Sequence, residues 1–304
     1  MKSETVVIKI DGLETGNLYK EMVDLVVELD TEKASSFRFT LPLRKKKFGS
    51  WTYLDDERLS PWKKISISAG YEEEVDTLLS GYITHVKPYF DPDPTKCRLE
   101  ITGMDGSAVM DREEVLKDWP NKKDSDIARI IIQKNKLIPV VDDTKVVHNK
   151  KVSTIVQRES DMQFLKRLAA RNGFLCYVED RDVVFGKPNL TREPQPVLAC
   201  HFGKSSSLAR FSIDINGLSP SNFSMFQVDR MAKKVLETKI DKGDLKILGQ
   251  VGPDQVNPRG EKPPLAYAGG NAVTGQEEMD NLCRGMVENA DWYVTAEGDV
   301  AGNV

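Results

Sequence analysis

The chain has 304 residues, 39% hydrophobic and 30% charged, a composition that supports two or three domains with cores and excludes a fibrous or disordered class. With 43 basic against 47 acidic side chains the net charge is -4, which excludes a global electrostatic footprint for nucleic acid, and no apolar run approaches the length of a membrane span. The N-terminal MKSETVVIKIDG lacks the apolar core of a signal peptide, and Cys97, Cys176, Cys200 and Cys283 have no paired spacing, which suits reduced thiols better than a disulfide frame or a zinc site.

In chain order, the first hundred residues predict strands. Val6, Ile8 and Ile10 alternate with polar neighbours, as do Val23, Leu25, Val27 and Leu29, and then Phe37, Phe39, Leu41 and Leu43. Ile65 with Ile67, and Leu99 with Ile101, repeat the pattern, while Gly12, Gly70 and the Asp91–Thr95 stretch break it as turns do. Short antiparallel strands with one apolar face predict a sandwich or small barrel. Trp51, Tyr53 and Trp62 fall in a tight stretch expected at the surface.

A helix is expected from about Ser125 to Lys136, capped by Asp124 or Ser125, with Ile127, Ile130, Ile131 and Leu137 facing inward. Val140–Val141, Val146–Val147 and Val152–Val156 are strand candidates. The segment from Val152 to Gly186 has the most consistent local signals. Ser160 and Gln163 have capping-box spacing, and Phe164, Leu165, Leu168 and Ala169 form one helical stripe opposite Lys166, Arg167 and Arg171. Asn172 and Gly173 stop the helix, and the apolar runs Phe174–Val178 and Val183–Phe185 predict a hairpin.

Pro188, Pro194 and Pro196 mark a boundary. Strands are then expected at Val197–His201, Leu208–Ile215 and Val235–Ile240, and the Pro- and Gly-rich stretch from Gly249 to Gly275 predicts a surface loop. Thr274 and Glu277 make a second capping box. Behind it Met279, Leu282, Cys283, Met286, Val287 and Ala290 form a helical stripe, and Trp292–Glu297 predicts a strand.

No constellation for chemistry assembles. Gly203-Lys204-Ser205 ends like a phosphate-binding loop, but the Gly needed five positions earlier is Leu198. Cys200-His201 has no second pair at ligand spacing, and His85 and His148 lie in separate segments without a nucleophile pattern. The runs Asp55–Glu57, Glu72–Glu74 and Glu113–Glu114 are solvated faces rather than paired catalytic carboxylates, and Arg44–Lys47 is a solvated loop tip. No catalytic, cofactor-binding or metal-binding residue is assigned, and the expectation is of a protein without enzymatic activity or cofactor.

Several motifs in order resemble the late control gene D family, the baseplate hubs of contractile phage tails and the N-terminal part of type VI secretion spike proteins (VgrG). In the middle of the chain they are Gln157, Ser160, Asp161, Phe164, Leu165, Arg167, Leu168, Ala169, Gly173, Phe185 and Gly186. Earlier come Gly81, Gly103 and Asp105, as fold positions, and near the end Ala296, Glu297, Gly298 and Gly302. The resemblance implies a mainly β fold in which two tube-protein-like β-barrels flank an inserted α+β domain. On this chain the parts would be a first barrel at 1–111, the insertion at 112–190 and a second barrel at 191–304, lacking the family's final strands. It further implies a homotrimer that adapts a hexameric tail tube to a trimeric spike and forms part of a central channel. Its partners would be the tube or tube-initiator protein, the spike and translocated cargo, with no membrane span and no specific nucleic acid. Assembly would occur in the cytoplasm, before incorporation into a tail or injection particle. The alternatives are a spike-associated cell-wall hydrolase and a monomeric carbohydrate-binding or adhesin module.

Overall fold

The computed structural model describes residues 4–71, 74–152, 154–191, 193, 197–201, 203, 206–218, 222–229, 232–241, 265–267 and 273–300. Pro194, Pro196, Lys204, Ser205, Gly302 and most of the expected loop between Gly249 and Gly275 lie outside the described residues. The fold is β-rich with a smaller helical share, as the alternating patterns predict.

Seven strands of the first hundred residues form one sheet: β1 (Glu4–Ile10), β2 (Leu13–Glu14), β3 (Asp24–Glu28), β4 (Ser36–Pro42), β5 (Lys64–Tyr71), β6 (Glu74–Tyr89) and β7 (Arg98–Asp105). Their order is β2-β1-β5-β6-β7-β4-β3, antiparallel throughout. Period-2 alternation puts Ile8, Ile10, Phe37, Phe39, Leu41, Ile67, Leu99 and Ile101 on one face, and all of them share a single buried cluster. A sheet whose one face forms one core must curl. The 16-residue β6 supplies the bend, because Leu78 and Thr84 are each an extra residue against its neighbours. The helix α1 (Gly16–Glu21) sends Leu18 into the same cluster.

Two glycines hold the strands of this sheet close, and one aspartate ties it to the next helix. A Cβ at Gly81 would lie 1.9 Å from the Met104 carbonyl oxygen, and one at Gly103 would lie 2.3 Å from the Phe37 ring, so only hydrogen fits at either place. Asp105 is buried and accepts from the backbone N–H of Ser35 (2.7 Å) and Ser107 (2.8 Å), tying β4 to the start of α2 (Ser107–Met110). Burial and backbone approach thus account for three of the positions carried by the family resemblance.

The middle of the chain has its own cluster. It comprises β8 (Glu114–Trp119), α3 (Asp124–Lys134), β9 (Ile138–Val141), β10 (Ile155–Ser160), α4 (Asp161–Arg171), β11 (Leu175–Glu179) and β12 (Asp182–Gly186). β10 pairs with β8, while β9 adds in parallel to the β11–β12 hairpin. In α4, Phe164, Leu165 and Leu168 are fully buried as the stripe requires, and each such side chain contributes about 1.5–3 kcal/mol by leaving water. Ser160 is the N-cap and accepts from the Gln163 N–H at 3.3 Å. The reciprocal half of the expected capping box, the Gln163 side chain accepting from the Ser160 N–H, is not formed among the described residues, and the Ser160 hydroxyl donates to Asp111. Gly173 takes φ 65°, the left-handed conformation predicted for it.

The last part holds a ribbon, β13 (Leu208–Ile215) with β17 (Val294–Val300), and a small sheet of β14 (Asn222–Asp229), β15 (Lys234–Ile240) and β16 (Leu265–Tyr267) in the order β15-β14-β16. The helix α5 (Gln276–Ala290) packs on that sheet through Met279, Leu282 and Cys283, which share a cluster with Met225 and Val273.

Several expectations are corrected. Val197–His201 is not a strand; its sequence alternates too little, and His201 takes a left-handed φ of 56°. The helix α3 begins at Asp124 behind Lys123, with no side-chain cap, and Ile130 is 38% exposed while Ile132 takes the buried place. β3 stops short of Val23 and Leu29, which are exposed. Trp51 and Tyr53 pack against the first core, so only Trp62 of the aromatic stretch is exposed. Within the expected loop, Leu265–Tyr267 pairs in parallel with β14 and Val273 is fully buried. Glu278, one residue beyond Glu277, bonds Thr274, and the N-cap of α5 is Gly275. β8 and β14 were not expected, because adjacent apolar residues, Val115–Leu116 and Met225–Phe226, break the alternation.

Candidate functional site

The groups set aside on sequence stay apart in space. Cys200 is half-buried and His201 exposed in a turn, and His85 is exposed with Nδ1 3.0 Å from the Thr84 hydroxyl. Among the described residues no cluster of His, Cys, Asp and Glu has the geometry of a metal site. No described helix is long and apolar enough to cross a membrane.

His148 differs from both, because it is 2% exposed and lies at the junction of α3, α4 and α5. Its Nε2 is 2.7 Å from Asp124 Oδ1, in the first turn of α3, and its Nδ1 is 3.3 Å from Glu278 Oε1 in α5. The other Asp124 oxygen accepts from Asn172 Nδ2 at 2.8 Å, at the C-terminus of α4. Glu278 Oε1 also accepts from the Arg171 guanidinium, and its Oε2 takes both the N–H and the hydroxyl of Thr274 at 2.7 Å each. Two carboxylates thus face one guanidinium and one imidazole, and charge balances when the imidazole is protonated.

The electrostatics follow. Burial opposes a charge on His148, but hydrogen bonds to Asp124 and Glu278 outweigh it and raise its pKa to about 9. Burial likewise opposes ionisation of Glu278. Its bonds to His148 and Thr274, with the charge of Arg171, overcome that and lower it to about 2. Both ring nitrogens face carboxylates, each carboxylate oxygen accepts at least one hydrogen bond and the ring is buried, so the cluster holds charge. It is a buried ionic joint between the middle of the chain and α5. Backbone contact completes it: a Cβ at Gly285, in the middle of α5, would lie 2.6 Å from the Gly173 nitrogen at the end of α4.

The sequence reading missed this joint. Its partners lie up to 154 positions apart, from Asp124 to Glu278. The one signal available was Gly285, a residue that costs about 0.5–1 kcal/mol in a helix interior and needs a reason to be there.

A second feature is the β13–β17 ribbon. Register places Phe211, Ile213 and Ile215 on one face, opposite Gly298, Ala296 and Val294. These three large side chains are 47%, 59% and 51% exposed. On the other face Arg210 pairs with Asp299 (2.9 Å) and Glu297 (3.7 Å), so the charged side is internally satisfied while the apolar side is open. A third feature is an open cleft of about 590 Å³ between the first sheet and the middle of the chain. Its charged lining is Lys9, Lys64, Lys136 and Arg181 against Asp180 alone.

No curated protein sequence matches the chain. Over 99% of its length the fold is similar to the 43 kDa tail protein of prophage MuSo2 from Shewanella oneidensis, at 13% identity, a TM-score of 0.68 and 83% of that chain covered. Over 99% of its length it is also similar to a tail protein from Neisseria meningitidis MC58, at 14% identity, a TM-score of 0.63 and 80% of that chain covered. At these identities the shared property is the fold. The family model described as the Alg8 N-terminal domain matches residues 1–277, and the chain therefore belongs to the Alg8 N-terminal domain family.

Proposed function

We propose that the chain is a structural baseplate hub of a contractile tail or injection machine. The observation that supports this most is fold similarity over 99% of the chain to two prophage tail proteins, 83% and 80% of whose own lengths are covered. The order of motifs from Gly81 to Gly298 points the same way. In this reading residues 1–111, 112–190 and 191–304 are the working parts, and three copies form a ring. The two strand-rich parts alternate around it, so a trimer offers six similar faces to a hexameric tube and three to a spike. Cargo passes through the central channel, and the ring is assembled in the cytoplasm before it joins the particle.

The work is mechanical and asks no covalent chemistry of the chain. Binding energy comes from apolar burial and strand edges between copies. The ionic joint keeps α5 and the sheet beneath it in fixed orientation to the middle part, as a load-transmitting ring requires. Electron microscopy of the chain assembled with its tube protein tests the proposal. Three-fold rings with pseudo-sixfold density at the tube face are expected. Monomers bound to neither tube nor spike would overturn it and return weight to a monomeric binding module.

A further inference from the structure

The walls of the open cleft come from two different parts of the chain. One wall is the outer face of the first sheet. Register sets Lys9 opposite Ser66, Ser66 opposite Ser80, and Lys64 opposite Tyr82. Lys64 and Ser66 are two residues apart on β5, so all five side chains stand on one face, away from buried Ile8, Ile65 and Ile67. The other wall is the turn after α3, with Lys136, and the tip of the β11–β12 hairpin, with Arg181. These two turns are tied together: the Ile138 N–H donates to the Arg181 carbonyl at 2.9 Å, and Arg181 Nη2 donates to the Lys136 carbonyl at 3.4 Å.

Four cations against Asp180 give the cleft a net charge of +3 in a chain whose net charge is -4. Among the described residues none of the four makes an ion pair; Asp11, which accepts from the Lys64 N–H at 3.1 Å, pairs with Lys63 instead. Like charges gathered across a cleft repel, and low-dielectric walls strengthen the field between them. Lys136 also takes φ 60°, a conformation that glycine or asparagine adopts at less cost, so an ammonium is kept there against backbone strain. The hydroxyls of Ser66, Ser80 and Tyr82 add neutral donors, and about 590 Å³ is the size of a small-molecule site. We infer that the cleft binds a compact anion whose phosphoryl or carboxyl oxygens carry charge enough to match that excess. Lys9 and Lys64 hold it from the sheet, and Lys136 and Arg181 from the turns, through charge-assisted hydrogen bonds. Bound there, it neutralises the cations and braces the first sheet against the middle of the chain. The site is complete within one chain, so it is independent of the hub reading and of any ring.

Isothermal titration calorimetry of the full chain tests this, with sodium tripolyphosphate and citrate as separate probes and ionic strength held constant with sodium chloride. Saturable one-to-one binding is expected for at least one probe, and the better probe tells phosphoryl from carboxyl chemistry. Lys9→Gln with Lys136→Gln removes one cation from each wall and is expected to weaken binding at least about tenfold. Lys150→Gln with Lys151→Gln removes the same charge from an exposed turn outside the cleft and is expected to change affinity less than about twofold. The better probe should also raise the thermal midpoint of wild type and leave that of the cleft variant unchanged. Absence of saturable binding with both probes would overturn the inference. So would an unweakened cleft variant, or a control variant weakened as much as the cleft variant, which would mark attraction to surface charge at large. Binding of a single-stranded oligonucleotide by a wild type that takes neither probe would overturn the small-anion reading in favour of a nucleic-acid groove.

Discussion

β4 and β13 have the same sequence pattern and opposite fates. In β4, Phe37, Phe39 and Leu41 alternate with Arg38 and Thr40; in β13, Phe211, Ile213 and Ile215 alternate with Ser212 and Asp214. The first three are fully buried, and the second three are about half exposed. Alternation specifies a strand and which side chains share a face, but the partner of that face is a property of the whole sheet. β4 lies between β7 and β3 in a seven-stranded sheet that curls over its own apolar side, whereas among the described residues β13 pairs with β17 alone.

Substitution sharpens this comparison most directly. Phe39→Ala is expected to cost about 3–5 kcal/mol in urea unfolding, by lost transfer energy and a residual cavity. Phe211→Ala at a matched position is expected to cost less than about 1 kcal/mol in the dilute monomer. Equal costs would show that the ribbon face is covered within one chain. Leu168→Ala should follow, at about 2–5 kcal/mol; a loss under about 1 kcal/mol would show the inward face of α4 to be misassigned.

The joint on α5 breaks the comparison differently, because it ties an open region to a closed one by charge. Glu278→Ala takes from the Arg171 guanidinium its carboxylate partner and leaves the buried imidazolium with Asp124 alone, and is expected to cost about 3 kcal/mol. Hydrogen exchange should rise in α5 and β15 and stay unchanged in β5 and β6. Uniform exchange across all four elements would argue against a local joint.

The pH dependence has a definite sign. His148 is raised from 6.5 to about 9, so its contribution is complete below pH 6.5 and is lost as pH rises through 9. Glu278 is lowered from 4.5 to about 2, so its contribution is complete above pH 4.5 and is lost as pH falls toward 2. The joint is therefore strongest between pH 4.5 and 6.5. Unfolding free energy should fall between pH 6 and 9.5 by an amount on the order of 1–3 kcal/mol. His148→Gln should remove most of that slope; an unchanged slope would place its origin elsewhere.

The smallest expected effects concern the N-terminus of α4. Ser160→Ala is expected to cost about 1 kcal/mol, through the lost cap. Gln163→Ala should stay within about 0.5 kcal/mol, because its side chain does not complete the capping box. Comparable losses in both would restore the reciprocal bond.

Legibility in the sequence followed locality. The unit Ser160–Gly186 was readable residue by residue, since its cap, stripe, left-handed glycine and hairpin depend on neighbours within a few positions. The strands of the first sheet were readable for the same reason, but their order was not, as alternation is silent on partners. His148 was visible only as an isolated histidine, because Asp124 and Glu278 reach it from 24 positions before and 130 after. β14 escaped because its burial comes from α5 and Val273, and Ile130 was misplaced because the face of α3 is chosen by β9 and α4.

The pairing of β13 with β17 also sets an order of events during synthesis. Every strand of the first sheet has been made by Asp105, so that sheet can close while the ribosome is still working. β13 must wait through residues 216–293 before its partner exists. For that interval the chain displays an unpaired, alternating apolar strand, the kind of segment that templates aggregation. Chains released between β13 and β17 are accordingly expected to be sticky, and chains released just after β7 soluble. Nascent-chain pelleting at the two lengths would read the difference.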